Sequence, residues 1–242
     1  MLSICVLAYH TNPDTRLTDE CIQSIDEQTL PIPSERILVD NGSTSELTDY
    51  DGWRMIHLKN NRGNVEGQNI CFDVASNEWV LFVSNDVRFE EGAIQSLWNK
   101  RFQGQLMPTI LNPDMSIQSF GGRLKWPGYG FNLTQSDVLD YIPSITYLMP
   151  MSLWKCIGGF DTHFPRTYED VDMGFRLGSS RLRCVNDCYA IHLGNATLKY
   201  KDNKRFTDGR IRFINKHYHG LDKWVRLGSV SVLGGISRLI HA

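Results

Sequence analysis

Acidic side chains occur at two separated places where they could take part in chemistry. Asp86 lies just past the apolar run 79–83, where a carboxylate can face a cleft without being buried unpaired. Glu169, Asp170 and Asp172 precede an apolar segment with helical spacing, and the helix dipole favours carboxylates at a helix start. That placement predicts an ionised carboxylate able to accept a proton, as a general base does. A turn-forming aspartate and ordinary helix-start acids are the structural alternatives.

A histidine far along the chain is the natural companion of Asp86. His192 ends a short apolar run, residues 188–191, that is predicted to be a strand. A carboxylate together with an imidazole suits Mn²⁺ or Mg²⁺. Such an ion neutralises the charge that develops on a departing diphosphate. Taken alone, His192 is more typical of a structural residue, and the pairing with Asp86 favours the metal.

The elements that must position these residues alternate between strand and helix over the first hundred residues. Short apolar runs indicate strands buried on both faces, and apolar residues at helical spacing separate them. This order predicts an α/β fold with a mostly parallel central sheet flanked by helices and a Rossmann-like N-terminal half. The predicted strands are 3–9, 36–39, 55–58 and 79–83, and the predicted helices lie near 17–25, 66–76 and 94–98.

Each predicted strand of this half ends in a polar cluster. In an open α/β sheet, ligands bind beyond the carboxyl ends of the strands, so the clusters predict a binding site at that edge. Turn formation is the alternative for each cluster taken alone. The clusters are Tyr9-His10, Asp40-Asn41, Asn60-Asn61 and Asn85-Asp86.

The pattern changes after residue 105. Residues 105–111 and 116–120 flank an Asn-Pro-Asp turn and predict a hairpin. The segment 125–139 has no period and is predicted to be a loop, either a lid or acceptor platform or an ordinary surface excursion. We expect a single domain of 242 residues with a nucleotide-binding half (1–104), an acceptor and catalytic half (105–198) and a basic tail (199–242).

Composition and charge fit a globular protein. Hydrophobic residues make up 41% and charged residues 21%, and the net charge of −2 argues against a general nucleic-acid binder. The tail holds ten Lys and Arg against three Asp, a local charge of +7 against −9 for the remainder. It could contact phosphate, an anionic membrane surface or, less readily, nucleic acid, or it could be a solvated helix.

The six cysteines lack metal-site spacing and are predicted to be reduced thiols, with Cys5, Cys21 and Cys71 buried. No signal peptide and no membrane span are predicted. A cytoplasmic location, with possible peripheral membrane contact, is therefore expected.

Several motifs, in order, resemble the family 2 glycosyltransferases of the GT-A fold, in particular their rhamnosyltransferase-like branch. The resemblance covers nearly 200 residues, and its most specific part is the last stretch. The matching stretches are Ser-Ile-Cys-Val-Leu-Ala-Tyr (3–9), Ile-Leu-Val-Asp-Asn-Gly-Ser-Thr (37–44), Asn-Arg-Gly-Asn-Val-Glu-Gly-Gln-Asn (61–69), Trp-Val-Leu-Phe-Val-Ser-Asn-Asp-Val (79–87) and the Gly-Gly-Phe-Asp to Tyr-Glu-Asp-Val-Asp segment (158–172).

The resemblance implies an inverting transfer of a sugar from a UDP-, dTDP- or GDP-sugar to an unidentified acceptor hydroxyl. Asp170, with Glu169 beside it, matches the catalytic base, and Asp86 and His192 match the ligands of Mn²⁺ or Mg²⁺. The implied donor-nucleotide residues are Ala8, Tyr9, His10, Asp40, Gly63, Gly67, Asn69 and Asn85.

Two positions depart from the family pattern. Ser84 replaces the first acid of the DXD motif, so metal binding rests on Asp86, His192 and the diphosphate. His10 stands where asparagine is usual, which affects recognition of the base. The alternative functions are a sugar-nucleotide-binding module without catalysis and a sugar transferase that acts on modified nucleic acid. A nucleotidyltransferase is less favoured, because no glycine-rich basic loop follows the first strand.

Overall fold

The structure is a computed structural model. It describes residues 1–12, 14–30, 32–45, 47, 49–135, 137–194 and 203–240, with no side-chain description for 203 and 231–240. Residues 199–202 and 241–242 of the predicted tail therefore lie outside the described residues.

The first half builds a parallel sheet in the order β3-β2-β1-β4. Its central strands are continuous apolar runs buried on both faces, as expected for parallel strands. All four therefore end at the same edge. The strands are β1 (Leu2–Ala8), β2 (Ser34–Asp40), β3 (Arg54–His57) and β4 (Trp79–Ser84).

The second half extends the same sheet with mixed pairing. The order continues from β4 through β10, β6, β11 and β5, while β7 pairs with β6. β10 runs antiparallel to β4 and β6, whereas β11 runs parallel to β6 and antiparallel to β5. The sheet is thus parallel mainly in its first half. These strands are β5 (Val87–Phe89), β6 (Gln105–Leu111), β7 (Ile117–Ser119), β10 (Thr146–Pro150) and β11 (Leu182–His192).

The first four helices pack against the sheet, whereas the sixth helix contributes Phe213 to a second apolar cluster that includes Val171 of the fifth. The second and fourth helices lie together, since Phe72 and Trp154 stack with ring centroids 3.7 Å apart. The helices are α1 (Arg16–Asp26), α2 (Gly63–Val74), α3 (Ala93–Asn99), α4 (Met151–Ile157), α5 (Glu169–Leu177), α6 (Asn203–His217) and α7 (Gly220–Ile240).

The predicted α/β fold with flanking helices is confirmed, and so is the hairpin formed by β6 and β7. The prediction of a loop over 125–139 is wrong in part, because β8 (Gly122–Lys125) and β9 (Tyr129–Asn132) form a separate two-stranded sheet. All six cysteines are free, and Cys5, Cys21 and Cys71 are buried as predicted. Among the described helices, none has the length and apolar character needed to cross a bilayer.

Candidate active site

The pairing of two short strand segments brings Asp86 and His192 together. β5 begins one residue after Asp86, and its Val87 pairs with His192 at the end of β11. His192 Nε2 lies 3.1 Å from Asp86 Oδ2, and both side chains are 16% exposed. The predicted partnership of these residues is therefore present in the fold, at the carboxyl end of β4.

The contacts of the pair determine how far these two residues could hold a metal ion. Gln118 Oε1 lies 3.1 Å from His192 Nδ1, which orients the imidazole as outer partners of metal ligands do. Asp86 Oδ1 is buried and has no hydrogen-bond partner among the described residues. Within those residues no cluster of three His, Cys, Asp or Glu side chains could enclose an ion. An ion here would thus need ligands from the substrate, such as the oxygens of a diphosphate.

Glu169 and Asp170 reach the same edge of the sheet through a chain of hydrogen bonds. Ser84, the last residue of β4, donates its N–H to Ile145 O at 2.9 Å. The neighbouring Ser144 donates its hydroxyl to Glu169 Oε1, also at 2.9 Å. The start of α5 is therefore held close to the end of β4, two residues from Asp86.

The two acids at the start of α5 have raised pKa values, which is the opposite of the shift that a helix start alone produces. Burial raises the pKa of Asp170 well above its usual range, and the neighbouring Glu169 carboxylate raises it further. Burial also raises the pKa of Glu169, against hydrogen bonds from the backbone, Ser144 and Asn64. The helix start was expected to favour ionisation of these acids, and at this site the loss of water outweighs the helix dipole and raises both pKa values. A carboxyl with a raised pKa is a better proton acceptor once it is ionised.

Asp40 is the last residue of β2, and Tyr9 directly follows the adjacent β1 at the same edge of the sheet. Asp40 is 7% exposed, and its Oδ1 accepts the Ser43 N–H at 2.9 Å while its Oδ2 lies 3.1 Å from His57 Nδ1. Tyr9 is 40% exposed, which leaves ring surface for a ligand. The predicted contact of both residues with a nucleotide base stays a prediction.

Three further residues predicted to bind the donor nucleotide make hydrogen bonds within the protein itself. His10 is buried, with Nε2 2.7 Å from Thr18 Oγ1 and Nδ1 3.2 Å from Asp14 O. Asn85 donates to the same Thr18 hydroxyl at 2.8 Å. Ala8 is fully buried, and its carbonyl accepts the Asn41 N–H at 2.8 Å. These residues shape the edge of the sheet, and their contact with a donor nucleotide stays a prediction.

The three predicted residues of α2 occupy different surroundings. Gly63 begins the helix next to open space, with its N–H donated to Asn61 Oδ1 at 2.7 Å. Gly67 is buried, and a Cβ there would lie 2.8 Å from Leu7 Cδ2. Asn69 exchanges two hydrogen bonds with the backbone of Phe160, at 3.0 and 3.1 Å. Gly67 and Asn69 therefore have packing or hydrogen-bonding roles, whereas Gly63 faces open space at the start of α2.

Sequence reasoning missed three residues that shape this site. Gln118 and Ser144 orient His192 and Glu169, and neither belongs to a motif. A Cβ on Gly194 would lie 2.0 Å from Asp86 Oδ2, so the close approach of the chain to Asp86 requires glycine. The glycine two residues after His192 was the one available signal, because such a residue permits close backbone approach.

Known proteins resemble this chain in two respects, a sequence family and a fold. A family model described as glycosyl transferase family 2 matches residues 3–139. No curated protein matches the chain in sequence. The fold resembles that of GalNAc-T7, solved with UDP, GalNAc and Mn²⁺, with a TM-score of 0.68 at 10% identity over 89% of this chain and 47% of that one.

The fold also resembles S. aureus TarS, with a TM-score of 0.59 at 17% identity over 90% of this chain and 40% of that one. A shorter form, TarS 1–349, gives 0.57 at 16% identity over 93% and 78%. The chain thus spans less than half the length of GalNAc-T7 and of the longer TarS chain. At these identities the likeness concerns the fold, which is the GT-A fold of glycosyltransferases.

Proposed function

Because the chain belongs to glycosyl transferase family 2, we propose that it transfers a sugar from a nucleotide-diphosphate sugar to an acceptor hydroxyl with inversion at the anomeric carbon. One observation carries the proposal. The Asp86–His192 contact lies two residues beyond the end of β4, and Glu169, beside Asp170, is linked to that same strand end through Ser144 and Ile145. Ligands bind at this edge in open α/β sheets.

Asp86 and His192 are the residues that would hold Mn²⁺ or Mg²⁺. The buried, unpartnered Asp86 Oδ1 and the oriented imidazole fit a hard divalent cation. Such an ion neutralises charge on the diphosphate leaving group. That GalNAc-T7 was solved with UDP and Mn²⁺ supports this assignment by analogy of fold. Ser84 leaves the chain with one carboxylate in the DXD stretch, so the diphosphate completes the ligand set.

Asp170 serves as the general base in the proposed reaction. It takes the proton of the acceptor hydroxyl as the acceptor oxygen bonds to C1 of the sugar. The bond from C1 to the diphosphate oxygen breaks in the same step, and the nucleoside diphosphate leaves with that electron pair. No covalent sugar–enzyme intermediate forms. Glu169 acts as a positioning residue, through its hydrogen bond to Ser144 and its charge beside Asp170.

Tyr9, Asp40 and Gly63 form the proposed contact with the nucleotide. Tyr9 offers exposed ring surface, Asp40 an acceptor oxygen, and Gly63 an open helix start. The donor would be a UDP-, dTDP- or GDP-sugar carrying a hexosyl or deoxyhexosyl group, as the rhamnosyltransferase-like motifs suggest. The protein would act in the cytoplasm. Its tail would contact an anionic membrane through α7, where Leu221, Trp224 and Val225 are exposed.

A sugar-nucleotide-binding module without catalysis is the second candidate, and Ser84 favours it. Metal-dependent release of nucleotide from the sugar donor separates the two functions, since a binding module holds the donor intact.

Donor binding can be tested by thermal unfolding with UDP, dTDP or GDP, each with Mn²⁺ or with EDTA. A ligand at about 100 times its Kd stabilises the fold by about 2.7 kcal/mol. For a chain of this size, we expect one nucleotide to raise Tm by roughly 5–10 °C with Mn²⁺ and by much less with EDTA. The variants Asp86→Asn and His192→Ala should lose the metal-dependent increment, whereas the exposed turn variant Asp51→Asn should keep it. Failure of all three nucleotides to raise Tm would contradict the proposal.

Gly194→Ala tests the geometry of the metal site without changing a ligand. The added methyl group would displace the Asp86 carboxylate from its present position. We expect calorimetry with Mn²⁺ in the presence of the stabilising nucleotide to show at least about 10-fold weaker metal binding, as for loss of an orienting partner. Gly228→Ala is the matched control, since a Cβ there meets nothing within 4 Å. Unchanged Mn²⁺ affinity in Gly194→Ala would place the ion elsewhere.

A further inference from the structure

The hairpin formed by β8 and β9 carries two exposed aromatic rings at its turn. Trp126 is 57% exposed and Tyr129 is 49% exposed. Single exposed apolar side chains are normal on protein surfaces, so exposure alone does not indicate a site. The position of this pair, which we call the hairpin aromatic surface, is what requires explanation.

Tyr168 ties the hairpin to the start of α5, where the proposed base lies. Its hydroxyl donates to Gly128 O at 2.9 Å and accepts the Gly130 N–H at 3.4 Å. Tyr168 also has a positive φ of 70°, a conformation that non-glycine residues rarely adopt. Backbone strain of this kind persists where the surrounding structure enforces it, commonly at functional sites. The residue that anchors the hairpin is thus two positions from Asp170.

Tyr141 fills the space between the hairpin and α5. A Cβ on Gly122 would lie 2.0 Å from the Tyr141 ring, and one on Gly130 would lie 3.3 Å from Val171 Cγ2. The Tyr141 hydroxyl donates to Asn132 at 3.3 Å. Glycines at these positions therefore let the hairpin pack directly on Tyr141 and on the residue that follows Asp170.

Arg210 of α6 holds one of the exposed rings in place. Its guanidinium lies 4.7 Å from the centroid of the Tyr129 ring, and its Nε donates to the Tyr168 hydroxyl at 3.2 Å. A cation over an aromatic face is favourable, so the ring is oriented before any ligand arrives. About half of Tyr129 nevertheless remains exposed. An oriented and exposed ring loses little conformational freedom on binding.

We propose that the hairpin aromatic surface, Trp126 with Tyr129, binds a carbohydrate acceptor by stacking against a sugar ring. Sugar rings present faces of C–H groups, which fit the negative face of an aromatic ring, while their hydroxyls remain in water. The surface lies on the segment that packs against the start of α5, so a bound glycan would present a hydroxyl toward Asp170. This inference rests on the proposed function, and it assigns the acceptor to the carbohydrates.

Binding to a printed array of defined oligosaccharides tests the assignment with the full chain. The wild type should bind a subset of the glycans, and Trp126→Ala and Tyr129→Ala should each weaken that binding by about 2- to 10-fold. Trp126→Phe should restore most of it, because an aromatic face is retained. Tyr189→Ala is the matched control for Tyr129→Ala, because Tyr189 is a 40% exposed tyrosine on β11, and this variant should bind as the wild type does.

Two outcomes would overturn the inference. The first is a wild type that binds no glycan, or variants at 126 and 129 that bind glycans as the wild type does. The second is binding to phosphatidylcholine–phosphatidylglycerol vesicles that the substitutions at 126 and 129 weaken, which would assign this surface to a membrane. Thermal shifts with donor nucleotide in the same variants separate a failure of the acceptor assignment from a failure of the proposed function. Intact donor binding without glycan binding refutes the acceptor assignment alone, whereas absent donor binding in the wild type refutes the proposed function.

Discussion

Replacing Asp170 by asparagine is expected to lower the rate of sugar transfer by about 10²- to 10⁴-fold while leaving donor binding unchanged. Asparagine keeps the size of the side chain and can still accept the Val171 N–H, which Asp170 Oδ1 accepts at 2.8 Å. It cannot take the proton of an attacking hydroxyl. Rates of nucleotide release with acceptor present, set beside thermal shifts with nucleotide and Mn²⁺, measure the two effects separately. Turnover near that of the wild type would remove Asp170 from the role of base.

The pH dependence of the rate distinguishes a base from a residue that only packs. The pKa of Asp170 is raised by burial and by the charge of Glu169, and only the ionised form accepts a proton. The rate should therefore rise with pH through a pKa above that of an exposed aspartate. Glu169→Gln removes the like charge, so the acidic limb of the profile should move to lower pH. An acidic limb that stays in place in Glu169→Gln would contradict the coupling of the two carboxyls.

The same raised pKa predicts that the inactive variant is at least as stable as the wild type. A carboxyl whose pKa is higher in the folded state contributes stability below its unfolded pKa, and that contribution is lost as pH rises through the folded pKa. At neutral pH an ionised Asp170 therefore costs folding free energy that asparagine avoids. Tm of Asp170→Asn should equal or exceed that of the wild type at pH 7, with the advantage diminishing toward pH 4. A large loss of Tm at pH 7 would mean that the substitution disturbs packing, and the kinetic test would then rest on Glu169→Gln.

Local patterns in the sequence were enough to predict the first half of the sheet. The runs at 3–9, 36–39 and 79–83 are apolar on every residue or nearly so, which a strand buried on both faces requires. The structure places strands at all three, as β1, β2 and β4. Parallel pairing then brings their polar ends to one edge as a geometric consequence.

Features that depend on distant pairing could not be predicted in the same way. β5 has three residues and no period of its own, yet its pairing with β11 is what brings His192 to Asp86. The register of β11 against β6 shifts between Val185 and Tyr189, before the strand reaches His192. The hairpin of β8 and β9 was missed because its glycines are required by Tyr141, which comes later in the chain. The sequence around β5 does not contain its partner β11, and the sequence of the hairpin does not contain Tyr141.

Some residues predicted to belong to the site have structural roles because their side chains make hydrogen bonds within the protein. His10 and Asn85 follow strands at the predicted edge, but both turn toward Thr18 of α1. The sequence locates a polar residue at a strand end, and it does not indicate which way the side chain faces. Conversely, Ser144 and Gln118 lie outside every motif, and their contacts with the acids and the histidine appear only in three dimensions.

Replacing Asp172 by alanine is expected to cause a larger loss of stability than any of the substitutions at the active site or on the hairpin. Asp172 is fully buried, and its carboxylate contacts three basic side chains. Arg176 Nε lies 2.8 Å from Oδ2, while Lys216 Nζ and His217 Nε2 lie 2.6 and 2.7 Å from Oδ1. Two of these partners belong to α6, so Asp172 joins α6 to the helix that carries Asp170.

Removing one member of a buried charge network leaves its partners with less compensation, and here Arg176 loses its carboxylate whereas Lys216 keeps Asp161 at 2.8 Å. Such changes cost about 3–5 kcal/mol. For a chain of this size, that corresponds to a fall in Tm of roughly 6–20 °C, which calorimetry or circular dichroism will detect. Because α6 also supplies Arg210 to the hairpin, loosening its contact with α5 should weaken glycan binding as well.

Asp222 provides a matched comparison within the same chain. It stands near the start of α7 and pairs with Arg226 four residues later, at 3.0 Å, just as Asp172 pairs with Arg176 near the start of α5. The Asp222 side chain is 53% exposed, however, and water screens the pair. Asp222→Ala should therefore change stability by less than about 1 kcal/mol. If the two alanine variants unfold at similar temperatures, the contact between α5 and α6 does not depend on the buried carboxylate, and the acids at the start of α5 are held by Ser144 and Tyr168 instead.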